Sequence, residues 1–226
     1  MTRANETGTA AAVSLGAKKR DYWWTVLAVD PVAVRLVRFL AAKRKITPDG
    51  VTWLALLVAL PIGVAYSLGR AGLVVGAVLF YVAFLLDCVD GKLARAMAIS
   101  SPKGKVLDDL ADGARRASGS VGLAVYLWRW PAFEGSFWLG IAYGILAFYF
   151  AQVSGSIRDD PNAEPRGRWA AAMGRRRLYP TPGTPDAAAL VFFFGPLTGF
   201  VAPALIAGVA MFGVALLLVV LKMIRR

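Results

Sequence analysis

The chain has 226 residues, of which 58% are hydrophobic and 18% charged, and its mean hydropathy is +0.57. A soluble domain of this size carries about a quarter charged residues, so the composition excludes an ordinary soluble core and points to a polytopic membrane protein. The net charge is +12 with no histidine and a single cysteine, which removes Ser-His-Asp triads, His-ligated zinc, Cys-cluster metal sites and an intrachain disulfide.

Residues 1–17 are small and polar, with no basic stretch leading into an apolar one, and read as an unstructured tail rather than a signal peptide. Residues 18–46 mix aromatics, aliphatics and bases. Pro31 is expected to divide this stretch, with "PVAVRLVRFLAAKRK" lying at the membrane interface as an amphipathic helix. Residues 47–226 form the transmembrane domain. Its apolar runs fall at about 48–69, 71–86, 106–128 and 136–157, followed by a 35-residue block at 187–221. That block is too long for one span and is interrupted by "GPLTGFVAP", so two helices with a tight turn near Gly195–Pro203 are expected. The fold expected is all-α, with six transmembrane helices preceded by the interfacial helix.

Basic residues set the orientation. With both termini inside, the inner segments hold 18–45, 100–107, 158–185 and "KMIRR", whereas the outer ones carry two arginines between them. Both termini therefore belong in the cytoplasm. Because the bases flank apolar runs, the positive charge reads as membrane orientation and not as nucleic-acid binding. Cys88, a lone small residue on a spanning helix, reads as packing.

The chemistry concentrates in Leu85–Arg116, "LLDCVDGKLARAMAISSPKGKVLDDLADGARR", where five aspartates follow a long uncharged run. Ala71–Leu86 makes roughly 24 Å of helix, which puts Asp87 at headgroup depth. Asp87 and Asp90 share one helix face at i, i+3; Asp108 and Asp112 share a face of the next helix at i, i+4. Four carboxylates converging there would repel unless a cation neutralised them, and oxygen-only donors favour Mg²⁺, Mn²⁺ or Ca²⁺. Mg²⁺ commonly works with phosphate, and Arg95, two turns beyond Asp87, can pair with one. Gly91 and Ala94 leave a shallow surface, and Gly104 follows "SP" at the start of the next helix, whose N-terminus favours anions. The alternative is a helix hairpin whose charges solvate a loop.

The pattern Asp87-x-x-Asp90-Gly91-x-x-Ala94-Arg95, then Gly104, Asp108 and Asp112, resembles the signature of the CDP-alcohol phosphotransferases. The start of the first span, "ITPDGVT", is similar to the family's "TPN…T", with Asp49 in place of Asn and Thr52 at the closing position. The resemblance implies transfer of a substituted phosphate from a CDP-alcohol, often CDP-diacylglycerol, to an acceptor hydroxyl with release of CMP. It implies that Asp87, Asp90, Asp108 and Asp112 hold divalent metal, Mg²⁺ or Mn²⁺, and that Asp112 is the general base. Gly91, Ala94, Arg95, Gly104 and Thr52 would bind the cytidine and pyrophosphate. Many members carry Lys or Arg directly after the last Asp, where this chain has Gly113. Arg115, Arg116 and Arg158 are the expected acceptor-binding residues, and Arg175–Arg177 serves either there or in anchoring to anionic lipid. Asp109 lies outside the signature and is expected to be solvated or to support a ligand. The family is typically dimeric.

Two rivals fit less well. A membrane prenyltransferase needs two distant Asp motifs and about nine spans. A cation transporter wants acids near the bilayer midplane on several helices, and spans four to six carry none within their apolar stretches. The expected enzyme works at the inner face of a prokaryotic plasma membrane with CDP-diacylglycerol as donor and a small polyol or polyol phosphate as acceptor. The reverse arrangement, a water-soluble CDP-alcohol donating to a lipid hydroxyl, is kept by the resemblance of "DGKLAR…SSPKG" to choline- and ethanolamine-type members.

Overall fold

The structure, a computed structural model, describes residues 15–43, 46–99, 101–156 and 167–224. Among the described residues the regular structure is helical, and the β pairing is a single isolated bridge between Asp21 and Leu178. The main helices are α1 (Asp30–Lys43), α2 (Pro48–Ala59), α3 (Ile62–Tyr66), α4 (Arg70–Ala96), α5 (Pro102–Arg129) and α6 (Trp138–Ser156), followed by α7 (Arg168–Arg175), α8 (Thr184–Ala189), α9 (Gly195–Thr198) and α10 (Val201–Ile224). Among the described residues three stretches are long and apolar enough to cross a membrane, Pro48–Tyr66, Arg70–Ala96 and Val201–Leu221, and Trp138–Val153 is a shorter apolar helix. Their outward faces are apolar: Leu57, Val64, Val75, Phe148, Leu217 and Leu218 are all exposed. Water would penalise such a surface, and lipid does not.

The expected break in the last apolar block falls at Gly199, which ends α9 with φ +88°. Pro31 does not divide its segment. The chain is helical from Trp23 to Lys43, and residues 25–29 widen into a π-helical turn in which the Asp30 amide donates to the Thr25 carbonyl, five residues back. Leu190–Phe194 does the same before Pro196, with the Gly195 amide donating to Leu190. A proline has no N–H and its ring crowds the carbonyl four residues back; a wider turn directly before it relieves both defects without ending the helix.

The residues pack as two compact units. One draws on Met1–Val58, Val82–Asp112 and Glu164–Asp186, the other on Ala59–Tyr81, Gly113–Ala163 and Ala187–Arg226. The second unit is held by close backbone approach and aromatics. A Cβ on Gly122 would stand 2.4 Å from the Gly63 Cα, so α3 and α5 touch through glycines. Tyr143 and Phe80 both pack on Phe192, and the Tyr66 hydroxyl donates to the Phe192 carbonyl. Between α2 and α3, Pro61 interrupts the ladder. The Ser118 hydroxyl repairs it, donating to the Leu60 carbonyl and accepting from the Gly63 amide, both at 2.9 Å. Ser118→Ala removes both partners at once in an apolar setting, and an unmade buried hydrogen bond costs about 1–3 kcal/mol. Unfolding of the detergent-solubilised variant should show a loss in that range.

The first unit ties the N-terminal segment to the loop before α8. The Asp21 amide donates to the Arg177 carbonyl at 2.8 Å, the Tyr179 amide to the Asp21 carbonyl at 3.1 Å, and the Trp23 indole to the Tyr179 carbonyl at 2.8 Å. Asp186 accepts from the Trp24 amide at 2.6 Å and the Gly183 amide at 2.7 Å, so it caps the helix that begins at Trp23. Burial raises the Asp186 pKa, and these backbone donors oppose the rise. Gly16 and Ala17, expected at the end of an unstructured tail, are buried in this unit. Gly16 has φ +79°, and a Cβ there would lie 2.1 Å from the Lys92 carbonyl, so the position needs glycine.

Candidate active site

The signature occupies the end of α4 and the start of α5. Two local devices shape the turn between them. At the end of α4 the Ile99 amide donates to the Ala94 carbonyl and the Ala98 amide to the Arg95 carbonyl, the paired bonds of a Schellman cap. Its left-handed position is Ala98, with φ 54°. A left-handed backbone is strained for any residue with a Cβ, so Ala98→Gly should stabilise the protein by about 0.5–1 kcal/mol in thermal unfolding. At the start of α5, Ser101 is the N-cap: its hydroxyl accepts from the Gly104 amide at 2.9 Å, with Pro102 at the first helical position.

The same device opens α2. The Thr47 hydroxyl accepts from the Gly50 amide at 3.2 Å, with Pro48 first in the helix. "TPDG" and "SPKG" are thus one capping motif used twice. The two copies are close: a Cβ on Gly104 would lie 3.1 Å from Asp49 Oδ1 and 3.0 Å from Ser101 Oγ. The signature's second glycine therefore meets the position at which this chain has Asp instead of Asn. Thr52 is buried, and its hydroxyl donates to the Pro48 carbonyl at 3.1 Å.

Asp90 is 4% exposed, Asp87 and Asp112 are half-buried, and Asp108 is exposed. Gly91 and Ala94 are half-buried on α4. Among the described residues no three Asp, Glu or Cys side chains stand together in a preformed metal site. The donor set still fits a hard divalent ion by its chemistry: the titratable groups supplied by the signature are carboxylates, without imidazole. Asp109 is exposed and pairs with Lys105 at 3.0 Å, one turn back on the surface of α5, an arrangement worth little in stability.

Arg95 is exposed, and its Nε donates to the Gly16 carbonyl at 2.6 Å. The N-terminal segment thus holds the arginine that the signature assigns to the pyrophosphate. Arg115 is buried with its guanidinium 6.0 Å from the Phe80 ring centre, Arg116 is half-buried, and Arg158 lies outside the described residues.

Sequence reasoning passed over Asp30 and Lys92, which the structure joins with Arg177 behind the signature. Lys92 directly follows Gly91, is 2% exposed, and reaches Asp30 Oδ1 at 2.8 Å. Arg177 Nη2 reaches Asp30 Oδ2 at 3.0 Å. One buried carboxylate on α1 thereby pins the signature helix and the loop after α7. The Arg175–Arg177 run is split: Arg177 faces inward, and Arg175 and Arg176 are exposed. The signal for Asp30 was present, since residues 18–46 contain only two acids, Asp21 and Asp30, among many bases.

No curated protein matches the chain. The sequence model of the family described as CDP-alcohol phosphatidyltransferase matches residues 45–169. That span runs from the first capping motif through α7's beginning and contains every residue of the Asp-Gly-Ala-Arg signature, over more than half the chain; the protein belongs to the CDP-alcohol phosphatidyltransferase family.

Proposed function

We propose that this protein transfers a phosphatidyl group from CDP-diacylglycerol to the hydroxyl of a small polyol or polyol phosphate, releasing CMP, at the cytoplasmic face of a prokaryotic plasma membrane. Family membership carries the coarser statement: transfer of a phosphate-bearing group from a CDP-alcohol in phospholipid synthesis. The observation that carries the finer reading is Asp90. A carboxylate 4% exposed at the end of a 27-residue apolar helix is costly, and such residues mark function. The bond to be cleaved lies at headgroup depth, where this helix leaves the apolar zone.

In this reading Asp87, Asp90, Asp108 and Asp112 hold Mg²⁺ or Mn²⁺. When bound, the ion supplies neutralisation of the negative charge that develops on the departing CMP. Asp112 accepts the proton of the attacking hydroxyl. Gly91 and Ala94 allow the nucleotide to approach the α4 backbone, Arg95 pairs with pyrophosphate oxygens, Gly104 leaves room for them at the start of α5, and Thr52 supports the cytidine from α2. Arg115, Arg116 and Arg158 receive the acceptor. Six spans, an interfacial α1, cytoplasmic termini and a homodimer complete the proposal.

The test is product identification. The purified protein is supplied with Mg²⁺, CDP-diacylglycerol and one acceptor at a time, and the lipid formed is identified by mass spectrometry. A single phospholipid matched by equimolar CMP supports the reading. A product formed only from a water-soluble CDP-alcohol and diacylglycerol would reverse donor and acceptor.

A further inference from the structure

A cleft of about 320 Å³ opens beside α1, lined by Val26, Asp30, Pro31, Val34, Arg35, Arg38 and Arg177. None of these residues belongs to the signature. Arg35 and Arg38 stand at i, i+3 on one face of α1 and are exposed. Among the described residues neither makes a hydrogen bond or ion pair with a carboxylate. Arg177 enters from a distant part of the chain. Its Nε and Nη2 are engaged by the Lys18 carbonyl and Asp30, while Nη1 makes no hydrogen bond among the described residues. The one acid in the wall, Asp30, is neutralised by Lys92 behind it and Arg177 beside it. Three arginines thus line the cleft against a single neutralised acid, which leaves a surplus of positive charge there. Orientation in the membrane explains bases on α1, but it does not require them to line one cleft with a buried arginine from elsewhere.

We propose that this cleft binds a phosphate group, carried either on a lipid headgroup or on a small soluble molecule. Guanidinium forks match phosphate oxygens in pairs. The size lies at the lower end for ligand pockets, suited to a headgroup and not to a nucleotide-lipid. Val26, Pro31 and Val34 give the carbon part of a phosphate-bearing molecule an apolar wall to lie against, and Leu27, Val32 and Phe39 project from the same helical segment as exposed apolar groups. The test of the site rests on Arg35 and Arg38, which the catalytic reading does not use.

The test follows the thermal unfolding midpoint of the full chain in non-ionic detergent, without divalent metal. The titrants are dihexanoyl phosphatidylglycerol, inorganic phosphate and dihexanoylglycerol. A saturable rise with the phospholipid alone assigns a lipid headgroup; a saturable rise with inorganic phosphate as well assigns a soluble phosphate. In either case R35Q/R38Q should weaken the apparent affinity at least tenfold, and R35K/R38K, which keeps the charge without the fork, should weaken it less. Both positions are exposed, and the unliganded midpoint of each variant reports its folding. An equal response to dihexanoylglycerol, no saturable response, or an unchanged response in R35Q/R38Q would overturn the proposal.

Discussion

With Asp112 as the proposed general base, Asp112→Asn should lower the rate of CMP formation by about 10²–10⁴-fold, the usual contribution of such a group. The amide keeps the size and most of the hydrogen-bonding capacity of the carboxylate but cannot accept the hydroxyl proton. Asp112 is half-buried almost three turns into a 28-residue helix, so the variant should fold as the parent does. Steady-state kinetics distinguish this role from a merely structural one. The loss should sit in kcat, with little change in the KM of the CDP-alcohol. Asp109→Asn, one turn away in an exposed pair with Lys105, should leave both parameters near those of the parent.

Asp30→Asn should be the most destabilising single substitution in the signature-bearing unit. It removes the carboxylate shared by Lys92 and Arg177, whose side chains are 3% and 10% exposed. Breaking a buried ion pair from one side costs about 3–5 kcal/mol, because the remaining charge has lost its partner but not its burial. Two cations are stranded here. Equilibrium unfolding in detergent should show the loss, and the double substitution D30L/K92M should recover only the share due to Lys92, because Arg177 stays buried without its carboxylate. An effect below 1 kcal/mol would mean that water reaches the network.

The helices, including those on which the four aspartates sit, are legible in the sequence because they depend on local pattern. Uncharged runs mark the apolar helices, Ser101-Pro102 marks the start of α5, and Gly199 marks the break in the last block. The path of residues 23–43 is not legible in the same way. Pro31 ordinarily ends a helix, and only a widened turn before it carries the helix through. Gly16 was hidden for a different reason: its partners, Arg95 and Lys92, lie far along the chain. The Asp30–Lys92–Arg177 network joins three distant segments, and no single-sequence period encodes such a pairing. The three arginines that line the cleft read from sequence as scattered positive charge, and their sharing of one wall is a property of the fold.

The most direct measurement is CMP release by the purified protein from CDP-diacylglycerol, with acceptor present, as the divalent metal is chelated and then restored. CMP formation matched mole for mole by a new phospholipid, abolished by chelation and recovered with Mg²⁺, is the result predicted. CMP formation that persists in the chelator, or that proceeds equally without any acceptor, would contradict metal-dependent transfer by the four aspartates.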